Sequence, residues 1–271
     1  MTHTSDEWAQ HRGQRWIASL DGIEAMLAPI DEPLIDRLLL DRPLRVADIG
    51  CGGGATARAI LARSRGSEVH GFDISAAAIE AINDRAPGIQ GHVANVETEV
   101  PDGAFDRLCS RFGIMFFDEP GKAFENLHGW LEAGGLFAFA VWASPEDNPW
   151  MTTVRDAVAS VAPLPAPVPD QPGPFRYANV DALLTLLEKA KFKSLKAVSW
   201  RGRLPIGGQL AASAAARFAL DSFATFSEIL ETAGPEATRE AHRRLSEHFA
   251  PHEKGGAVLM EARAHIVTGL A

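Results

Sequence analysis

The feature that most constrains the fold is the segment Val46–Ala55, VADIGCGGGA, in which an apolar stretch leads into a cluster of glycines and then into helix-forming sequence. Glycine permits positive φ and lets another molecule approach the backbone closely. The first turn of a helix also has N–H groups without partners inside the helix. The segment therefore predicts a tight strand-to-helix turn that binds the polar part of a ligand.

Two acidic residues narrow the choice of ligand. Gly50, Gly52 and Ala55 satisfy the loose dinucleotide pattern GxGxxG/A, which is weak evidence alone. Asp48, at the end of the first strand, would repel phosphates and attract a cationic group. Asp73, which closes the next apolar run, is placed to accept hydrogen bonds from both hydroxyls of a ribose. Together they fit a nucleoside with a positively charged tail that lacks phosphate, and S-adenosylmethionine is such a molecule.

Strand and helix patterns alternate for about a hundred residues around this turn, as in parallel sheets that helices cover on both faces. The predicted strands are residues 44–49, 68–73, 89–95, 105–111 and 136–143, and a helix is predicted over 122–133. The alternation stops at Ser144, and the six prolines within 161–174 predict an extended loop over the carboxyl edge of the sheet. After it come a helix from 180, a sixth strand at 192–200, helical sequence over 208–249 with a break at Gly234-Pro235, and a last strand at 257–268.

Several motifs resemble those of one enzyme family. VADIGCGGG with GFDIS resembles motif I and its following acidic strand in class I S-adenosylmethionine-dependent methyltransferases. FDRLCSRFGIMFFDEP resembles motif IV, and LEAGGLFAFAVW resembles the strand after it, in a bacterial small-molecule subgroup of the methyltransferase type 11, ubiquinone-methylase-like kind. Ser110–Phe117 and Asn148–Trp150 match further elements of that subgroup. The resemblance covers roughly residues 15–200 well and is specific for cofactor and fold, but not for substrate.

The resemblance implies an α/β fold with a Rossmann-like, doubly wound, seven-stranded sheet and helical cap elements. The implied strand order is 3-2-1-4-5-7-6, with strand 7 antiparallel. Residues 1–42 are expected to form an N-terminal helical cover and residues 43–271 the methyltransferase domain. Within that domain we expect residues 144–180 and 206–250 to be lid or cap insertions.

The same resemblance implies where S-adenosylmethionine binds. The expected cofactor-binding residues are Trp16, Asp48, Gly50, Cys51, Gly52, Asp73, Ile74, Asn95, Val96, Arg111 and Phe112. Asp48 is expected near the ammonium group, Asp73 at the ribose and Ile74 on the adenine face, with Trp16 as a cover.

Some of these roles have alternatives. Either the Asn95 side chain or the Val96 backbone would bind the adenine amino group. Asp73 or Ser75 would suit the N-cap of the next helix. The Arg111 backbone is expected near the methionine group, whereas its side chain is as consistent with an exposed ion pair to Asp118 or Glu119.

The acceptor side is less specified. Trp8, Met115 and Trp150 are the best candidates for a substrate pocket, among aromatic and apolar residues that individually are more typical of a core. Trp16, Phe116, Phe117 and Trp142 are further members of that group. His11, His92 and Glu146 are conceivable general bases, none is favoured, and no catalytic residue is assigned. The histidines, including His242, His248 and His252, show no metal-ligand spacing.

Composition excludes several classes of function. A net charge of −9 argues against a nucleic-acid partner, because phosphates attract basic surfaces. No apolar run is long enough to cross a bilayer, the N-terminus lacks the pattern of a signal peptide, and two cysteines do not make a disulfide framework. We therefore expect a cytoplasmic protein, as a monomer or homodimer, that acts on a small molecule.

The predicted reaction is transfer of a methyl group to oxygen, nitrogen or activated carbon of a small organic acceptor, with S-adenosylhomocysteine as product. The resemblance to this family also associates the chain with specialised metabolism. One alternative is a regulatory or scaffold protein that binds the cofactor without turnover. An NAD(P)-dependent oxidoreductase is less favoured, because of Asp48 and because the single tyrosine, Tyr177, forms no Tyr/Lys catalytic pair.

Overall fold

The protein is built around a sheet whose central strand leads into the glycine turn. A computed structural model describes residues 13–166, 168 and 170–271. The strands are β1 Arg45–Ile49, β2 Glu68–Asp73, β3 Ile89–Val93, β4 Phe105–Arg111, β5 Leu131–Trp142, β6 Lys193–Pro205, β7 Glu253–Lys254 and β8 Ala257–Leu270. Residues Val46, Ala47 and Ile49 of β1 are fully buried, as expected for a strand that helices cover on both faces.

The strand order is β3-β2-β1-β4-β5-β8-β6, with β7 paired to β8 outside this path. The pairs from β3 through to β5 are parallel, whereas β8 is antiparallel to both β5 and β6. The predicted Rossmann-like topology is therefore confirmed. The predicted seventh strand is β8 here, because the two-residue strand β7 precedes it.

Helices pack on the sheet and extend beyond it. They are α1 Gly13–Ala18, α2 Leu20–Leu27, α3 Asp31–Ile35, α4 Ala55–Arg63, α5 Ala76–Arg85, α6 Pro120–Trp130, α7 Pro149–Ala159, α8 Val180–Lys189, α9 Ala212–Ser222, α10 Ala224–Ala233 and α11 Pro235–Phe249. Helix α11 packs against α7, α9 and α10, and α9 also contacts α1. None of the helices in the described part of the chain is long and apolar enough to cross a membrane.

Element boundaries differ from the predictions by more than two residues at three places. The helix predicted over 122–133 ends at Trp130, because Leu131 already pairs with Phe105 and begins β5. Strand β6 continues to Pro205, since it pairs with β8 as far as Leu259. The helical region begins at 212 rather than 208 and is three helices, with a break at 223 besides the predicted one at 234–235.

The ends of β1 and β4 meet through backbone alone. A methyl group at Gly113 would lie 2.7 Å from the Ile49 carbonyl oxygen and 2.9 Å from the Gly50 Cα atom. The Ser110 hydroxyl, at the end of β4, donates to the same Ile49 carbonyl at 2.7 Å. A side chain at Gly50 or Gly113 would therefore push the two loops apart.

This contact makes a prediction about stability. We expect Gly113→Ala to lower the free energy of unfolding by about 1–3 kcal/mol, because the added methyl overpacks a backbone contact. Gly129→Ala is the matched control, since a methyl there meets nothing within 4 Å and alanine favours a helix. Thermal unfolding of both variants checks this, and equal melting temperatures would contradict it.

Candidate cofactor site

The glycine turn is held by the strand beside it. Gly50, Gly52 and Gly54 have φ values of +64°, +53° and +79°, which side chains other than glycine rarely adopt. The N–H groups of Gly50 and Cys51 donate to the Phe72 carbonyl at 2.8 and 3.1 Å, and that of Gly54 donates to the Cys51 carbonyl. The N–H groups of Gly50 and Cys51 thus fix the turn to the end of β2.

Asp73 fastens the same turn with its side chain. One carboxylate oxygen accepts from the Gly52 N–H at 2.9 Å, and the other accepts from the Ser75 N–H at 2.9 Å. Burial raises the pKa of Asp73, and these hydrogen bonds oppose the rise. Ser75, whose hydroxyl accepts from the Ala78 N–H, is the N-cap of α5. The two residues therefore have separate roles, and each Asp73 oxygen retains room for a further donor.

A cavity of about 180 Å³ opens at the carboxyl ends of the parallel strands, where open α/β sheets bind ligands. Nine of the eleven predicted cofactor residues line it, namely Trp16, Gly50, Gly52, Asp73, Ile74, Asn95, Val96, Arg111 and Phe112. The other lining residues are Leu27, Phe72, Ser75, Ala78, Ala94, Glu97, Gly113, Phe116 and Phe117. Asp48 and Cys51 are buried and are not among the lining residues.

Asp48 is the buried charge behind the turn. Its side chain is 1% exposed, and its Oδ2 atom has no hydrogen-bond partner among the described residues. Burial raises the pKa of Asp48 to about 7; Asp31 and Asp73 add to the rise, and Arg111 and the Ala57 N–H oppose it. An unpartnered buried oxygen is costly, so a cationic group placed beside it would be strongly attracted. This fits the ammonium group of S-adenosylmethionine.

Arg111 lies in the cavity wall and is 8% exposed. Its Nη1 donates to Asp31 at 2.7 Å, and the other oxygen of Asp31 accepts from the Thr56 hydroxyl at 2.8 Å. The side chain is therefore a buried ion pair with the N-terminal helices and not an exposed partner of Asp118 or Glu119. Asp31 follows no recognisable motif, and nothing in its spacing from Arg111 could have identified it.

Phe112 holds the chain in an uncommon conformation beside Arg111. Its φ is +68°. For a residue other than glycine this conformation costs about 1–3 kcal/mol, and residues that adopt it cluster at functional sites. Its ring stacks on Trp142 with the ring centres 3.8 Å apart. The strain turns the chain so that Gly113 can meet Gly50.

The loop after β3 forms another wall of the cavity. The Asn95 side-chain oxygen accepts from the Glu97 N–H at 3.0 Å, and the Val96 carbonyl accepts from Asn126. The Glu97 carboxylate accepts from the N–H groups of Asp118 and Glu119 at 2.9 and 2.7 Å. These bonds join the loop to the start of α6.

Trp16 covers the cavity from the N-terminal side. Its ring lies against Gly52 so closely that a methyl group there would overlap it. Phe218 of α9 is packed in the same way against Gly22 of α2. The N-terminal helices are thus braced by a helix from the C-terminal half.

Two of the three predicted acceptor residues, Met115 and Trp150, are not among the residues that line this cavity. Met115 and Trp150 are 1% and 2% exposed in the core, and the Trp150 indole donates to Asn148. Trp8 and His11 lie outside the described residues.

The conceivable general bases are also elsewhere. His92 is hydrogen-bonded to His70 at 2.9 Å, and Glu146 is exposed. Within residues 13–166, 168 and 170–271, no group of three or more His, Cys, Asp or Glu side chains is arranged to hold a metal ion.

The pKa of Asp48 predicts how stability changes with pH. Because the folded-state pKa lies above the ordinary value of 3.8, the folded protein binds the proton more tightly, and the stabilisation is lost as pH rises toward 7. Asp48→Asn, which is neutral, should raise the melting temperature of the ligand-free protein by a few degrees at pH 8, or roughly 1 kcal/mol.

The difference between Asp48→Asn and the parent chain should be smaller at pH 5 and should vanish only below about pH 4, where the carboxyl is protonated in both the folded and the unfolded state. Asp84→Asn, on the exposed side of α5, is the control and should leave the pH profile unchanged. Thermal unfolding between pH 5 and pH 8 makes the measurement, and parallel profiles for the Asp48 variant and the parent would contradict the assignment.

Comparison with known proteins agrees with this geometry. Residues 47–139 match the family model described as a methyltransferase domain. A trans-aconitate 2-methyltransferase from Methylobacterium radiotolerans is 30% identical over 139 residues, which is 51% of this chain and 52% of that protein. A malonyl-[acyl-carrier protein] O-methyltransferase from Ilyobacter polytropus is 26% identical over 121 residues, 44% of each chain. The chain thus spans about half the length of the curated relatives it matches.

Solved structures share the fold at low sequence identity. Phosphoethanolamine N-methyltransferase 2 from Haemonchus contortus, solved with S-adenosylhomocysteine, is 15% identical with a TM-score of 0.51 and covers 89% of this chain and 52% of its own. The strand order, the glycine turn and the matched family model agree with one another. Residues 47–139 are therefore similar to a methyltransferase domain in sequence, and the chain shares the fold of a solved methyltransferase.

Proposed function

We propose that this protein transfers a methyl group from S-adenosylmethionine to oxygen, nitrogen or activated carbon of a small organic acceptor. The observation that carries the proposal is the Asp48 oxygen, buried and without a partner among the described residues, behind a glycine turn that borders a cavity. A neutral or anionic ligand would leave this carboxylate uncompensated, whereas the ammonium group of the cofactor would pair with it.

The other lining residues suit the rest of the cofactor. Asp73 would accept from the ribose hydroxyls, since one of its oxygens accepts from the Gly52 N–H, the other accepts from the Ser75 N–H, and both retain acceptor capacity. Ile74 and Val96 would flank the adenine, and Asn95 or the Val96 backbone would bind its amino group. Trp16 would close the site over Gly52. These contacts orient and desolvate the bound molecule, an effect that contributes up to roughly 7–11 kcal/mol to such reactions.

When bound, the cofactor supplies a methyl group that its sulfonium already activates. The chain itself must therefore orient the acceptor and exclude water more than it must supply reactive groups. Phe112, Phe116 and Phe117 provide apolar surface for this in the cavity wall. No general base is assigned, because neither His92 nor Glu146 lines the cavity.

Oxygen is the first acceptor atom to test. Two of the relatives are named for trans-aconitate and for a malonyl group with O-methylation, and both compounds carry a carboxyl group. This supports carboxylic acids as the first class in a screen, ahead of amines and activated carbons.

Calorimetric titration with S-adenosylmethionine, S-adenosylhomocysteine and NAD tests the cofactor. We expect micromolar binding of the first two and none of NAD. Methyl transfer from labelled cofactor to panels of acids, phenols and amines then tests turnover. Binding of NAD alone would favour an oxidoreductase, and cofactor binding with no transfer to any panel would favour a regulatory or scaffold protein.

The substitution Asp73→Asn tests whether the Asp73 carboxylate contributes to binding of the cofactor. The amide keeps one acceptor oxygen and loses the charge, so affinity for S-adenosylhomocysteine should fall by about tenfold to a hundredfold. Asp84→Asn on the outer face of the next helix should bind like the parent chain. Calorimetry measures both, and unchanged affinity in Asp73→Asn would remove this residue from the site.

A further inference from the structure

We propose that the Arg111 guanidinium binds the carboxylate at the amino-acid end of the cofactor; the assignment rests on the function proposed above. The sequence predicts the Arg111 backbone near the methionine group and is as consistent with an exposed ion pair for its side chain. In the structure the side chain pairs with Asp31 and Arg111 lines the cavity.

Arg111 is held in place and yet keeps free donors. Its Nη1 bond to Asp31 is the one hydrogen bond of this side chain within the described part of the chain. The Nε and Nη2 atoms have no hydrogen-bond partner among the described residues, and neither atom is fully enclosed. Because the side chain is 8% exposed and Arg111 lines the cavity, we infer that a ligand in the cavity reaches these donors. A guanidinium with one edge fixed presents its other edge as a planar fork that matches a carboxylate.

The fixed edge is itself well supported. Asp31 is 15% exposed, and its second oxygen accepts from the Thr56 hydroxyl in the first turn of α4. Two elements from different parts of the chain thus set the direction of the guanidinium. This reduces the entropy lost when a ligand binds.

The position of Arg111 favours the cofactor over the acceptor as the source of the carboxylate. In an amino acid, the ammonium and the carboxylate share one carbon atom, so the groups that bind them must be neighbours. Asp48 and Arg111 lie at the ends of the paired strands β1 and β4, where Asp48 is opposite Cys109. The Arg111 charge also acts directly on Asp48, since it opposes the rise in the pKa of that carboxyl that burial causes. One anionic and one cationic residue therefore lie on paired strands at the same edge of the sheet, as an amino-acid group requires.

The charges in the site are also complementary to this ligand. Asp31 is ion-paired with Arg111, and the charges of Arg111, Asp31 and Asp73 all act on Asp48. With the Asp31 charge matched by Arg111, the Asp48 charge is matched only when a cation arrives. An amino-acid group brings that cation together with an anion, and the anion needs the open edge of Arg111.

The test compares two probes in each protein. S-adenosylhomocysteine carries the carboxylate, and its decarboxylated analogue carries the ammonium alone. The ratio of their dissociation constants within one protein removes general effects on folding or on the adenosine contacts. In the parent chain, S-adenosylhomocysteine should bind tighter than the analogue by about tenfold or more.

Arg111→Gln should bring this ratio close to one, and Arg111→Lys, which keeps the charge but not the fork, should retain part of it. Arg107→Gln is the matched control on the same strand, since Arg107 donates to the Leu38 carbonyl and does not line the cavity. Its ratio should equal that of the parent chain. If Arg111→Gln does not fold, the ratio of the two dissociation constants is measured in Asp31→Asn and Arg111→Lys instead.

The outcomes separate the two proposals. A ratio in Arg111→Gln equal to the parent value overturns the assignment. If that variant has instead lost a preference for carboxylic acids over their primary amides in the presence of S-adenosylhomocysteine, Arg111 serves the acceptor and the assignment is again overturned. If the parent chain binds neither probe, the proposed function fails, and the assignment fails with it.

Discussion

The contact between Gly50 and Gly113 is the constraint on which the rest of the site depends. The two residues follow β1 and β4, and no side chain separates their backbones. The contact places the glycine turn next to the loop that carries Arg111, and Ser110 reinforces it through the Ile49 carbonyl. The cavity, the buried carboxylate behind it and the arginine beside it all follow from how closely these two strand ends approach. The strained Phe112 is the cost of turning the chain into that contact.

The buried charges show a balance between stability and binding. Asp31 and Arg111 partly compensate each other, whereas the Asp48 oxygen has no partner among the described residues. A fold selected for stability alone would replace such a group with an apolar one. Placed behind the turn, the group instead makes the site receptive to a cation, and the ion pair with Asp31 ties the N-terminal helices to the same place. Ligand binding and packing of those helices are therefore linked through one arginine.

Much of the fold could be predicted from local pattern, because strand and helix patterns alternate along the chain, β1 is followed by the glycine turn and β2 ends at Asp73. Nine residues expected at the cofactor line one cavity, since they follow strands whose carboxyl ends share an edge. Long-range pairing was beyond prediction: Asp31 and Arg111 are eighty residues apart and leave no periodic signal. Met115 and Trp150 show a different limit, because an aromatic or sulfur side chain does not reveal whether it faces a cavity or a core. Leu131 begins a strand where helix was predicted, because pairing with Phe105 outweighs local helical preference.

Strand β8 is inserted between β5 and β6, and this has a consequence for how the chain assembles. In the part of the chain that the structure describes, β6 pairs only with β8. The helices α9, α10 and α11 lie between these two strands along the chain. During synthesis the earlier βα units can collapse as they emerge, while β6 stays a thirteen-residue edge without a partner. Closing the sheet then requires a contact of high sequence separation, which is intrinsically slow and leaves an exposed edge prone to wrong pairing. The half of the molecule that holds the glycine turn therefore has time to form before the sheet is complete.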